Sequence, residues 1–180
     1  MPQINATPDQ VETTDLLVEG IRNGKTQVAL RLIERSAPQL WNSKPLWAAV
    51  LERNIVLVEA LLPYSDPTAP RCYAFEMAAQ EGFLEGLMAI APYMDNCARW
   101  EKTFNLALYH GQSECAHFLC RNWTEDHRRE VLVKTVSDTP PHAREKVVAN
   151  WAGVESLLLR EHLEQQITTA SAPLASARKI

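Results

Sequence analysis

No stretch of the 180 residues approaches the roughly 20 consecutive apolar residues that span a bilayer, so no membrane partner is expected. The polar start, Met1 to Thr14, has neither the basic opening nor the apolar run of a secretion signal, and a cytoplasmic location is the expectation. Glycine is scarce, with six in the chain, and none forms a phosphate-cradling loop. Gly-x-Ser-x-Gly and His-Glu-x-x-His are absent as well. The four cysteines, Cys72, Cys97, Cys115 and Cys120, lack the paired spacing of a zinc knuckle. A chain of this size needs no disulfide staples, so reduced and mostly buried thiols are expected. Strong charge of either sign is also missing. Eighteen basic residues stand against 22 acidic ones, for a net charge of -4, so nothing draws the whole chain to nucleic acid.

What the chain does have is a 29-residue period. Steps of 29 from Gly24 reach Arg53, Gly82 and Gly111. The same step links Gly20, Ala49, Ala78 and Ala107, all small. It links Leu17, Leu46, Phe75 and Phe104, all large and apolar, and then Ala29, Val58, Leu87 and Ala116. A further column is Leu32, Leu61, Ile90 and Leu119. The large columns fall at helical spacing and predict one buried stripe per helix. The small column lets two helices approach. The glycine column supplies a left-handed residue where the chain reverses. At the second copy, where arginine replaces glycine, Asn54 is expected to take that conformation.

Four helix pairs follow, over 14–23 with 26–35, 44–52 with 55–63, 73–81 with 84–92 and 102–110 with 113–121. Prolines such as Pro38, Pro45, Pro63 and Pro92 mark the joints. A degenerate fifth pair is expected over 124–150, with Val133 and Val148 keeping two large columns and Pro140 in the glycine position. A capping helix over 152–167 then closes the stack. Residues 1–13 and 168–180 read as flexible ends around one domain, 14–167. The fold class is all-α, an α-solenoid of stacked helix–turn–helix repeats.

The segments Lys44–Leu62 and Ala74–Ala91 resemble ankyrin repeats, with a Pro-Leu-x-x-Ala-Ala-type first helix, a turn glycine and a Val-x-x-Leu-Leu-type second helix. The resemblance spans about 14–121. It implies ankyrin-like stacking, with the inter-repeat hairpin shortened to a loop because the ankyrin period is about 33 residues. It also implies an inner face built from the last residues of each first helix: Arg22 and Asn23, Leu51 and Glu52, Gln80 and Glu81, Tyr109 and His110.

The inter-repeat loops add Trp41, Arg71, Arg99 and Trp100 as candidate partner-binding residues, since Trp and Arg are enriched at binding hot spots. Tyr64 and Tyr93 follow equivalent prolines and are expected to pack. Cys115, His117 and Cys120 point about 200° and 140° apart on a helix and cannot share an ion. The five histidines are scattered over separate elements. No catalytic, metal or cofactor site is therefore expected. The expected function is a non-enzymatic protein–protein interaction module, such as an inhibitor, immunity or adaptor protein, binding one protein partner through the inner helix ends and the loops. One alternative is nucleic-acid association through the basic 128–146 region, where Arg128, Arg129, Lys134, Arg144 and Lys146 interleave with Glu130 and Glu145. The second is an enzyme with a site at a stack end. Leu157, Leu158 and Leu159 cannot all face one side of a helix, which makes a homo-oligomer plausible.

Overall fold

The computed structural model describes residues 6–68, 73–94 and 97–171, without the side chains of 97, 98 and 169–171. The described residues are all-helical, with no strand among them. No helix of theirs is long and apolar enough to cross a membrane. Four helical hairpins come first. They are α1 (Pro8–Arg22) with α2 (Thr26–Ile33), α3 (Leu40–Leu51) with α4 (Ile55–Leu61), α5 (Ala74–Gln80) with α6 (Leu84–Ile90), and α7 (Cys97–His110) with α8 (Ser113–Cys120). Two longer helices follow, α9 (Glu125–Asp138) and α10 (Pro141–Ser171).

Helix α1 starts at Pro8, inside the stretch 1–13 that the sequence marks as a flexible end. The cause is a capping box. Thr7 accepts from the Gln10 amide, and the Gln10 side chain accepts from the Thr7 amide at 2.9 Å. Pro8 at the first helical position suits its missing amide donor.

The period is written into the turns. The amide of Lys25 donates to Gly20 O at 2.8 Å, Asn54 to Ala49 at 3.0 Å, Phe83 to Ala78 at 2.8 Å and Gln112 to Ala107 at 2.9 Å. Each of these bonds encloses a left-handed residue, Gly24, Arg53, Gly82 or Gly111, with φ of 67°, 51°, 66° and 80°. Arg53 itself therefore takes the left-handed position, and Asn54 does not. Asn54 is instead the N-cap of α4, with φ -98° and its side chain accepting from the Leu57 amide.

First helices pack in the order α1, α3, α5, α7 and second helices in the order α2, α4, α6, α8. The columns fill the space between the two rows. Leu17, Leu46, Phe75 and Phe104 are buried completely, as are Ala29, Val58, Leu87 and Ala116. The small column is buried throughout, and Cys115 and Cys120 lie in the same core. Tyr64 and Tyr93, expected to pack, both stand exposed on single 3-10 turns that Pro63 and Pro92 bring about.

The fifth pair departs from the pattern. Val133 and Val148 are 62% and 52% exposed, so the large columns do not continue. Val131, Thr135 and Val147 turn inward instead. Thr139, beside Pro140, is extended rather than left-handed, and no tight reversal forms. Nor is there a separate capping helix over 152–167, because α10 runs unbroken through both expected segments. The weakest helix former near the expected break is Gly153, which costs about 1 kcal/mol in a helix interior. Here it permits close contact, since a Cβ on it would lie 2.8 Å from Ser113 Oγ of α8.

Helix α10 is tied down between Asn150 and Glu161. Asn150 donates to Leu108 O at 2.7 Å, Trp151 packs edge-on to Phe104, and Glu161 meets His117 at 3.0 Å. Beyond that point residues 162–168 are all exposed. Residues 172–180 of the expected tail lie outside the described residues.

Candidate functional site

The reactive side chains do not converge. Among the described residues no group of three or more His, Cys, Asp or Glu side chains is placed to hold a metal ion. Burial pushes the Cys115 thiol up to about 11 and that of Cys120 up to about 12, so both stay protonated at neutral pH. His117 and His127 face carboxylates of other helices, Glu161 and Glu101.

The candidate residues divide into two sets at opposite ends of the first helices. Arg22, Asn23, Glu52, Glu81, Tyr109 and His110 are exposed at the turn end, with Leu51 and Gln80 half-buried among them. Hydrogen bonds cross between repeats there. Asn54 donates to Thr26 Oγ1 at 2.8 Å, Arg53 to Glu81 O at 2.9 Å and Gly82 O at 3.0 Å, and Gln112 to Gln80 O at 3.2 Å. Lys146 lies 5.6 Å from the Tyr109 ring.

Trp41, Arg99 and Trp100 lie at the loop end, and Arg71 falls outside the described residues. Arg99 is held by the carbonyls of Pro67 and Thr68 and by Glu76 at 3.4 Å. Trp100 donates to Met94 O at 3.0 Å and packs between Phe75 and Phe118. Both therefore serve the joint between repeats. Trp41 differs, being 44% exposed beside a recess of about 260 Å³ lined by Trp41, Asn42, Lys44, Trp47 and Tyr73.

The turn that presents Trp41 is strained. Trp41, Asn42 and Ser43 are all left-handed, with φ of 52°, 58° and 60°. Such a conformation costs roughly 1–2 kcal/mol per non-glycine residue. It is pinned by Ser43, fully buried, whose hydroxyl accepts from the Asp66 amide at 3.0 Å. Right-handed helix begins only at Lys44, with Pro45 in the first turn. Lys44 Nζ sits 5.2 Å from the Trp41 ring, and Lys102 Nζ sits 5.7 Å from that of Tyr73. Lys44, Tyr73 and Lys102 stand 29 residues apart, but the first copy of that position is Asp15, so the column keeps no one chemical character that marks this face in the sequence.

A larger open groove, about 850 Å³, lies between α9 and the second half of α10. Trp123, Leu132, Trp151 and Leu158 line it, with Arg121 and Arg128 among its polar residues. Within the basic 128–146 region Arg128 and Arg129 both line the groove, Arg129 also pairs with Glu125 at 2.8 Å, Arg144 donates to Thr139 O at 3.0 Å, and Lys146 lies 5.6 Å from the Tyr109 ring.

Set against protein-family models, curated proteins and solved structures, the chain matches none.

Proposed function

We propose that this chain is a non-enzymatic protein-binding module, an ankyrin-like α-solenoid that grips a side chain of its partner in the recess between α3 and α5. The carrying observation is the left-handed turn at Trp41–Ser43, which holds an exposed tryptophan at the mouth of a preformed hollow. Strain of this kind persists where surrounding structure enforces it, and it clusters at ligand clamps. Tryptophan and tyrosine carry much of the binding energy at protein interfaces. A recess of about 260 Å³ suits one anchor side chain rather than a small-molecule substrate. The solenoid reading rests on the two helix rows and the four equivalent turns.

The test is affinity capture with the wild-type chain and with a Trp41→Ala/Tyr73→Ala variant of equal helicity by circular dichroism. The expected result is a protein held by the wild-type chain and lost, by tenfold or more, from the variant. Equal capture by both would overturn the assignment to the recess.

A further inference from the structure

The walls of the recess between α3 and α5 carry a charge and a hydrogen-bonding bias. Trp41, Trp47 and Tyr73 supply three rings, and Lys44 and Asn42 supply the other polar groups. Among the described residues no acidic one lines it. The side chains that do are rich in donors. They offer the Lys44 ammonium, the Asn42 amide, two indole N–H groups and the Tyr73 hydroxyl, with acceptors only at Asn42 and Tyr73. Among the described residues none of these groups has a hydrogen-bond partner, and half-buried Lys44 has no carboxylate at ion-pair distance. Its Nζ faces only the Trp41 ring, at 5.2 Å.

A second ammonium stands at the Tyr73 ring. Lys102 Nζ is 5.7 Å from that ring and 3.7 Å from Glu76 Oε1, too far for a hydrogen bond, and the side chain is 59% exposed. Asp66 and Asp15 are at ion-pair distance from neither lysine. Asp66 accepts from the amide and hydroxyl of Thr68 at 2.9 and 2.7 Å, and Asp15 is exposed on α1. The chain as a whole has a net charge of -4, so this positive spot is local. We propose, on the reading that the recess holds a side chain of a partner protein, that the partner presents an acidic segment there. An apolar anchor sits between the rings, and carboxylates on either side of it meet Lys44 and Lys102. A carboxylate brings acceptors alone, the complement of a donor-rich wall. Two ammonium groups are few for a nucleic-acid backbone, which is held through many phosphates at once.

Two short peptides, acetylated and amidated, test this on the full chain. Glu-Glu-Phe-Glu-Glu carries the charge, and Gln-Gln-Phe-Gln-Gln removes it at nearly constant shape. The indole N–H signals of Trp41 and Trp47, followed by NMR up to about 5 mM peptide, should move with both. The acidic peptide should bind about fivefold more tightly, with a smaller margin at about 0.5 M salt. The double variant Lys44→Gln/Lys102→Gln, with helicity unchanged by circular dichroism, should bring the two affinities together. Equal binding of both peptides by the parent chain overturns the acidic occupant and leaves the recess standing. Signals that move with neither peptide overturn the recess as well. A preference that survives the double variant overturns the proposal. So does tighter binding of hexathymidylate at the same signals, which assigns the site to nucleic acid. So does a neutral peptide with a free C-terminus that matches the acidic one, which assigns the site to a chain end.

Discussion

The hairpins from α1 to α8 and the pair α9–α10 use the same kinds of residue to different ends. In the first region a left-handed residue closes each turn, and side chains bond across neighbouring turns. Each helix is thereby fixed against its partner and against the next repeat, and the large columns are buried except at Leu32, which is half-buried. In the second region the turn position belongs to Pro140, Thr139 before it is extended, and a groove opens beside α9 and α10. The difference shows that the four closed hairpins share a left-handed turn residue that the α9–α10 pair lacks. The regular part spends its apolar residues on its own core, while the irregular part leaves Leu159, Leu163 and Ile167 outside.

The sharpest way to break this comparison is one column cut twice. Phe104 and Val133 are 29 residues apart, yet Phe104 is fully buried and Val133 is 62% exposed. Phe104 also holds the junction together, with Trp123 and Trp151 at 5.1 and 6.1 Å between ring centroids. Phe104→Ala should cost about 3–5 kcal/mol in urea denaturation. Val133→Ala should stay within about 0.5 kcal/mol of the parent. Similar losses at both sites would mean that the period continues after all.

Much of the regular region is legible in the sequence because each of its columns answers to a local demand. Leu, Phe and Ala recur where helix faces meet, and Gly recurs where φ must be positive. The start of α1 was legible too, in Thr7-Pro8-Asp9-Gln10, but the buried periodicity begins only at Thr14 and draws attention past it. Other features follow from no local pattern. Nothing in Trp41-Asn42-Ser43 demands three left-handed residues. They accompany the burial of Ser43, whose hydroxyl accepts from the Asp66 amide, a contact made over 23 residues. The groove depends on the angle between α9 and α10, which no single residue specifies. Arg99 and Trp100 look like hot-spot residues in sequence, yet the loop carbonyls and the flanking rings absorb them.

A second pair of substitutions sharpens the account of the turns. Gly24 and Gly82 have nearly the same φ, 67° and 66°, but different surroundings. A Cβ at Gly24 meets nothing within 4 Å, whereas one at Gly82 would overlap the Gln112 side-chain amide. Gly24→Ala should therefore cost about 1 kcal/mol, from backbone strain alone. Gly82→Ala should cost about 2 kcal/mol, because Gln112 must swing away and lose its bond to Gln80 O. Equal losses would show that the bonds between turns contribute nothing.

The thiols give a test of burial in the regular region by pH. Cys115 and Cys120 have folded values raised to about 11 and 12 from an ordinary 9.0, so the folded state holds these protons more tightly than the unfolded one. Stability should be unaffected well below pH 9 and should fall as pH rises from there toward 11–12. By pH 10 the loss attributable to Cys120 should be on the order of 1 kcal/mol, seen as a shallower decline in Cys120→Ala than in the parent. Mass-mapped alkylation at pH 8 should leave both residues unmodified until the chain unfolds. Rapid native labelling of either would mean that the α7–α8 core opens locally.

The smallest expected effect concerns the one turn without glycine. Arg53 bears the strain of φ 51°, yet its guanidinium donates to Glu81 O and Gly82 O and lies 5.7 Å from the Phe83 ring. Those carbonyls end α5, where a cation also complements the helix dipole. Two opposing terms meet at one residue. Arg53→Gly relieves the backbone, worth about 1 kcal/mol, and loses an exposed pair of charge-assisted bonds of similar worth. Its stability should lie within about 0.5 kcal/mol of the parent. Arg53→Ala keeps the strain and loses the bonds, so it should fall about 1 kcal/mol below Arg53→Gly. The order of the two variants, read from urea midpoints, separates strain from bridging. If alanine were no worse than glycine, the left-handed residue would not be what closes the hairpin, and the contrast with Pro140 would lose its basis.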